Sequence, residues 1–194
     1  MTGSRRIGVL ALQGDFREHL EILAALGATG SEIRRPEQLD GIDALVVPGG
    51  ESTTIGKLAL QYGIVDALRR RAAEGMPVWG TCAGAIFIAK DVPGHPHPIA
   101  ALMDISVERN AFGRQQDSFE VDLAVPVLGA APFHGVFIRA PKIRVLAPSV
   151  EVLARLEDGT VVAAREGRLL ATSFHPELTR DRRFHAYFLA IPSD

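Results

Sequence analysis

Hydrophobic and polar positions alternate along this chain in blocks, and the first half reads as strand, helix, strand. Arg6 to Leu12 is a short, nearly continuous apolar run, the pattern of a strand buried on both faces. Gln13-Gly14-Asp15 breaks it, with Asp15 as an expected helix N-cap. Phe16, Leu20, Leu23 and Ala24 then recur at helical spacing until Gly27. Thr29 to Arg34 predicts a second strand and Ala44 to Val47 a third, ended by Pro48-Gly49-Gly50. Ser52 or Thr53 is expected to cap a helix carrying Ile55, Leu58 and Ala59, and a further helix covers Ile64 to Ala73. Pro77 to Gly80 predicts a fourth strand, leading through Thr81-Cys82-Ala83-Gly84 into another helix. This alternation implies a parallel sheet with helices on both faces.

The second half changes character. Short strands are expected at 104–108, 118–123, 135–139, 144–147, 150–156, 161–165 and 169–173, with hairpin turns at 157–160 and 166–167. These predict a mixed or antiparallel extension of the same sheet. Arg180 to Ala190 is read as a closing helix and Asp91 to Pro98 as an irregular loop. The 194 residues suggest one domain, 1–194. Lys plus Arg total 21 against 23 for Asp plus Glu, so no basic surplus points to nucleic acid or an anionic membrane surface. No apolar run is long enough to span a bilayer, and the N-terminus does not read as a signal peptide. A single cysteine, Cys82, excludes an intramolecular disulfide and fits a reducing, cytoplasmic setting.

That cysteine lies in Gly80-Thr-Cys-Ala-Gly84, the G-x-C-x-G spacing of a nucleophile elbow. A sharp strand-to-helix turn there lifts the side chain above the sheet. The start of the following helix favours a thiolate and can hold an oxyanion. A thiolate also needs a positioned base. In Ser173-Phe174-His175-Pro176-Glu177, Pro176 biases His175 toward extended backbone, and Glu177, two residues on, can orient the imidazole. Standing alone, each motif has a plainer reading, a small buried thiol and a solvated turn. Together they suggest a Cys82–His175–Glu177 relay. Gly49 and Gly50 follow the third strand at the same sheet edge, so the Gly50 and Ala83 N–H groups are expected oxyanion donors. His95 and His97 could form a metal pair but lack a third ligand. His19 and His185 are expected at a surface or boundary, and His134 is left open.

Six segments then carry a resemblance. They are Leu10-Ala-Leu-Gln-Gly-Asp15 with Glu18-His19, Pro48-Gly-Gly-Glu-Ser-Thr-Thr54, Thr81-Cys-Ala-Gly84, Arg109-Asn-Ala-Phe-Gly-Arg-Gln115 with Asp117-Ser-Phe119, Phe137-Ile-Arg-Ala-Pro141 and Thr172-Ser-Phe-His-Pro-Glu-Leu178. The chain resembles class I glutamine amidotransferases, and more narrowly the glutaminase subunits of pyridoxal 5'-phosphate synthases. The resemblance implies a three-layer α/β, flavodoxin-like fold with a mostly parallel sheet. It implies Cys82, His175 and Glu177 as the catalytic residues. It implies Gly49, Gly50, Glu51, Arg109, Ile138 and Arg139 around L-glutamine, whose carboxylate suits an arginine. It also implies that Gln13 and Gly14 meet a separate TIM-barrel synthase that takes the ammonia and activates the glutaminase, with no metal or organic cofactor. A glutaminase serving another pathway or a related elbow-cysteine hydrolase, and a non-enzymatic scaffold, are the competing readings. The 109–119 block argues against the first, and the intact Cys82, His175 and Glu177 against the second.

Overall fold

The computed structural model describes residues 4–94, 99–109 and 118–193. The first half runs β1 (Arg6–Leu10), α1 (Phe16–Ala25), β2 (Thr29–Ile33), β3 (Ala44–Val47), α2 (Ser52–Gln61), α3 (Ile64–Ala73), β4 (Val78–Thr81) and α4 (Ala83–Ile88). The second half adds β5 (Ala89–Asp91), β6 (Met103–Glu108), β7 (Ser118–Leu123), β8 (Phe133–Ile138), β9 (Lys142–Val145), β10 (Glu151–Arg155), β11 (Val161–Glu166), β12 (Leu169–Thr172) and α5 (Arg183–Leu189).

Ten strands form one sheet in the order β2-β1-β3-β4-β12-β11-β9-β6-β5, with β10 paired to β11. The stretch from β2 to β12 is parallel throughout. Beyond it β11 and β9 run antiparallel, while β5 and β6 pair in parallel. The expected antiparallel extension is therefore present, with one correction. Strands β7 and β8 leave the sheet and form a separate two-stranded ribbon. The ribbon's inward residues Leu123, Phe133 and Phe137 pack on the helical layer under one sheet face, which gives the pair the apolar cover that two strands alone lack.

Strand alternation explains the layering. In β3, Leu45 and Val47 point to one face, where Ile55 and Ala59 of α2, Ile64 and Leu68 of α3 and Phe87 of α4 cover them. Ala44 and Val46 point to the other face, which holds Leu23 of α1 and Phe184 and Phe188 of α5. Both faces of the central strands are buried, so their sequences read as apolar runs instead of alternating ones. Two local expectations change. Helix α2 is capped by Glu51, whose carboxylate accepts from the Thr54 N–H, and not by Ser52 or Thr53. Helix α5 starts at Arg183, not Arg180, because side chains hold the segment before it in turns: the Asp181 N–H donates to Thr179 Oγ1 and the Arg183 N–H to Asp181 Oδ1. Among the described residues no helix is long and apolar enough to cross a membrane.

Candidate active site

The parallel core decides what can meet. Strands β1, β3, β4 and β12 are neighbours and run the same way, so their carboxyl ends lie along one edge. Past those ends come Gln13 to Asp15, then Gly49-Gly50, then Cys82, then His175. Four segments distant in sequence thus converge at the position where open α/β sheets bind ligands.

Cys82 occupies the turn from β4 into α4 with φ 47° and ψ −105°, a conformation that residues with a Cβ seldom adopt. The flanking glycines show why the turn closes. A Cβ on Gly80 would collide with the Gly84 carbonyl, and one on Gly84 would overlap the carbonyl oxygen of Val47. The Cys82 N–H donates to the Thr172 carbonyl at 2.8 Å, which ties the elbow to the end of β12. The Cys82 side chain is nearly buried, and Sγ lies 3.9 Å from the Ile138 carbonyl oxygen.

His175 Nδ1 stands 2.6 Å from Glu177 Oε1 and 3.4 Å from Asp15 Oδ2. Glu177 reaches His175 through the 3₁₀ turn at Pro176–Leu178, where the sequence predicts extended chain. Burial disfavours a charged imidazole here. Hydrogen bonds with Asp15, Cys82 and Glu177 outweigh it and raise the His175 pKa to about 12. Burial also pushes the Glu177 carboxyl up, against the His175 hydrogen bond. Asp15, His175 and Glu177 bring possible metal-ligand atoms within 4.8 Å of one another. The short Nδ1–Oε1 contact already engages that imidazole nitrogen in a hydrogen bond.

The sequence predicts Asp15 as the cap of α1, but its side chain makes no capping hydrogen bond and faces His175 instead. Its N–H donates to the Gly49 carbonyl at 3.1 Å, and Gln13 Oε1 accepts from the Glu51 N–H at 2.6 Å. Gln13 and Gly14 therefore lie directly on the Gly49-Gly50 segment. Asp15 is the contact that sequence reasoning missed; its signal was a carboxylate just past the end of the first parallel strand.

Gln13, Gly50, Cys82, Ala83 and His175 line one cavity of about 380 Å³, and Glu51, Arg109, Ile138 and Arg139 complete its wall. That volume falls within the range of about 300–1,000 Å³ common for small-molecule sites. Gly49, expected around the glutamine, does not line the cavity; it and Glu177 lie behind the wall, against His175. Arg109 Nη2 approaches Glu51 Oε1 at 3.4 Å. Burial opposes ionisation of Glu51, but the Thr54 and Thr53 N–H groups and Arg109 hold its carboxyl below the usual range. Arg139 turns into the cavity with φ 44°. Residues 110–117, which carry most of the 109–119 block, and the His95 and His97 pair lie outside the described residues.

Two of the remaining histidines correct the sequence reading. His19 and His185 are fully buried, not at a surface or boundary. Helices α1 and α5 both pack their histidines inward under Trp79. His134 is exposed on the β7–β8 ribbon between Glu120 and Asp122, at 2.8 and 2.9 Å.

These buried groups predict a stability maximum near neutral pH. The folded His175 pKa lies above its unfolded value of 6.5, so its contribution is full below 6.5 and declines as pH rises toward 12. Burial lowers His185 to about 3 and His19 well below 6.5. The unfolded chain binds protons that these two refuse, so stability also falls as pH drops below 6.5. Urea midpoints between pH 5 and 9 should peak near 6.5, and His175→Asn should flatten the alkaline side. A profile that rises steadily to pH 9 would contradict this assignment.

A mostly parallel sheet between helical layers, with a strained cysteine elbow at its carboxyl edge, is the arrangement that the resemblance to glutamine amidotransferases implies. A crystal structure described as a glutamine amidotransferase matches at TM-score 0.91 and 58% identity, over 95% of this chain and 97% of that one. The chain belongs to the SNO glutamine amidotransferase family, whose model matches residues 9–191. It is 59% identical over 187 residues to a pyridoxal 5'-phosphate synthase subunit PdxT of Thermus thermophilus, covering 95% of this chain and 96% of that relative. It is 57% identical over 188 residues to the subunit of that name from Herpetosiphon aurantiacus, covering 95% and 99%.

Proposed function

We propose that this chain is the glutaminase subunit of a pyridoxal 5'-phosphate synthase, folded as a single glutaminase domain over residues 1–194. It hydrolyses L-glutamine to L-glutamate and ammonia and passes the ammonia to a separate synthase subunit. The observation that carries the reading is the meeting of Cys82, His175 and Glu177 beside a cavity whose wall holds Glu51, Arg109 and Arg139. Near-full-length similarity to chains named as subunits of that synthase supports the pathway.

In this mechanism the Cys82 thiolate adds to the side-chain amide carbon of glutamine, and the oxyanion is held by the Gly50 and Ala83 N–H groups. The imidazolium of His175, held by Glu177, gives its proton to the departing ammonia. His175 then takes a proton from water, which hydrolyses the γ-glutamyl thioester and frees Cys82. Arg109 or Arg139 pairs with the substrate carboxylate, and Glu51 with its ammonium. Gln13 and Gly14 form the part of the site that a partner can reach, and their packing on Gly49-Gly50 lets docking reset the oxyanion donors.

The test is glutamate release from glutamine by the purified chain, with and without a pyridoxal phosphate synthase subunit. Weak activity alone and strong stimulation by the partner are expected. Full activity without the partner would remove the gating. No activity under either condition, from folded protein with a matched partner, would leave a scaffold role.

A further inference from the structure

A second pair of buried histidines lies behind the carboxylate of Glu177, and the mechanism above does not use it. His19 comes from α1 and His185 from α5, and neither has any solvent exposure. His19 Nδ1 is 2.9 Å from His185 Nε2. His19 Nε2 is 3.4 Å from Glu177 Oε2 and 3.4 Å from Thr81 Oγ1. Trp79 covers both rings edge-on, with centroids at 5.8 and 4.9 Å. Two helices thus place His19 beside the Glu177 oxygen that His175 does not use, with His185 behind it.

The surroundings favour one arrangement of the protons. Burial keeps both rings neutral, and for His19 the neighbouring His185 and His175 add to that effect. A neutral imidazole has one N–H and one lone pair, whereas an ionised carboxylate only accepts. His19 Nε2 faces two oxygens, Glu177 Oε2 and Thr81 Oγ1, and a hydrogen on that nitrogen suits both, which favours the Nε2–H tautomer of His19. Its Nδ1 must then accept, so His185 donates from Nε2. This leaves His185 Nδ1 as a buried lone pair, and it has no hydrogen-bond partner among the described residues. A bare acceptor is the less costly group to leave unpaired. Glu177 Oε2 likewise has no hydrogen-bond partner among the described residues: Oε1 is taken by His175, and His19 Nε2 stops 3.4 Å short of Oε2.

We propose that His19 is a positioning residue for the glutaminase reaction, its Nε2–H held in that tautomer by His185 and closing on Glu177 Oε2 when the carboxylate is charged. The proposal rests on Cys82, His175 and Glu177 carrying the chemistry. Glu177 must be ionised when the His175 imidazolium forms, and Asp15 is a second carboxylate facing the same pair. A neutral donor on the far oxygen favours the ionised form without competing for its proton. It also stops the carboxylate from rotating away from Nδ1.

Two experiments test this. In the ¹⁵N-labelled chain, long-range proton–nitrogen correlation at pH 7 should show His19 and His185 as neutral Nε2–H tautomers. An Nδ1–H tautomer or an imidazolium at His19 would overturn the proposal, and this measurement needs no variant. In the glutaminase assay with the synthase subunit, His19→Leu should lower kcat about tenfold or more, as expected for one hydrogen bond to a charged group. KM should stay near its original value, and the acid limb of kcat/KM should move to higher pH. His19→Gln, which retains an N–H near the ring Nε2 position, should recover most of the rate. Equal rates for His19→Leu and the unaltered chain, or equal losses in both variants with an unmoved acid limb, would overturn it. Glu177→Gln is the control: if that variant keeps full activity, the parent reading has failed instead.

Discussion

Cys82→Ala should abolish glutamine-dependent formation of pyridoxal phosphate while leaving synthesis from added ammonium intact. Alanine keeps the Cβ and therefore the packing of the elbow between Gly80 and Gly84, so the change removes little beyond the sulfur. With no nucleophile, the remaining oxyanion donors and substrate contacts cannot form the thioester, and glutamate release should fall by at least about 10³-fold. The partner's own chemistry is untouched when ammonium replaces glutamine. Measuring both reactions on the same complex separates an enzyme from a scaffold: retained glutamine-dependent synthesis would sink the assignment of Cys82. The strained backbone adds a second readout. Because Cys82 sits at φ 47°, Cys82→Gly should be more stable than Cys82→Ala by about 1 kcal/mol, although both are inactive.

The elements whose apolar period is long and clear were legible from sequence. Strands β1, β3 and β4, with the helices between them, follow from runs such as Ala44 to Val47 that are buried on both faces. The elbow was legible because Gly80 and Gly84 are needed by backbone contacts, which leave a fixed spacing in the chain. Local pattern could not show which strands stay in the sheet. Ser118 to Leu123 alternates like any half-buried strand, and only packing puts it in a ribbon. Nor could it place the histidines. His19 and His185 occupy helices of mixed polarity, and their burial depends on Trp79 and Glu177 arriving from elsewhere. Asp15 reads locally as a cap, but a tertiary partner, His175, claims the carboxylate.

Gly49→Ala tests the site through a residue that takes no part in the chemistry. A Cβ there would lie 2.5 Å from His175 Cε1 and 3.0 Å from Nδ1, so the imidazole must move. It cannot retreat without loss, because Glu177 holds Nδ1 at 2.6 Å and the ring is buried. The Gly49 carbonyl also accepts from the Asp15 N–H, so a shift of Gly49 carries the Gln13 to Asp15 segment with it. A displacement near 1 Å between nucleophile and base costs on the order of 10²-fold in rate, and kcat should fall by about that much. Glutamine affinity should change far less, because Gly49 lies behind the cavity wall that Glu51, Arg109 and Arg139 form. Steady-state kinetics on the complex, with circular dichroism to verify folding, decide the matter. A folded Gly49→Ala variant with undiminished kcat would mean that His175 need not stand where this structure puts it, and the proton relay through Glu177 would fall with it.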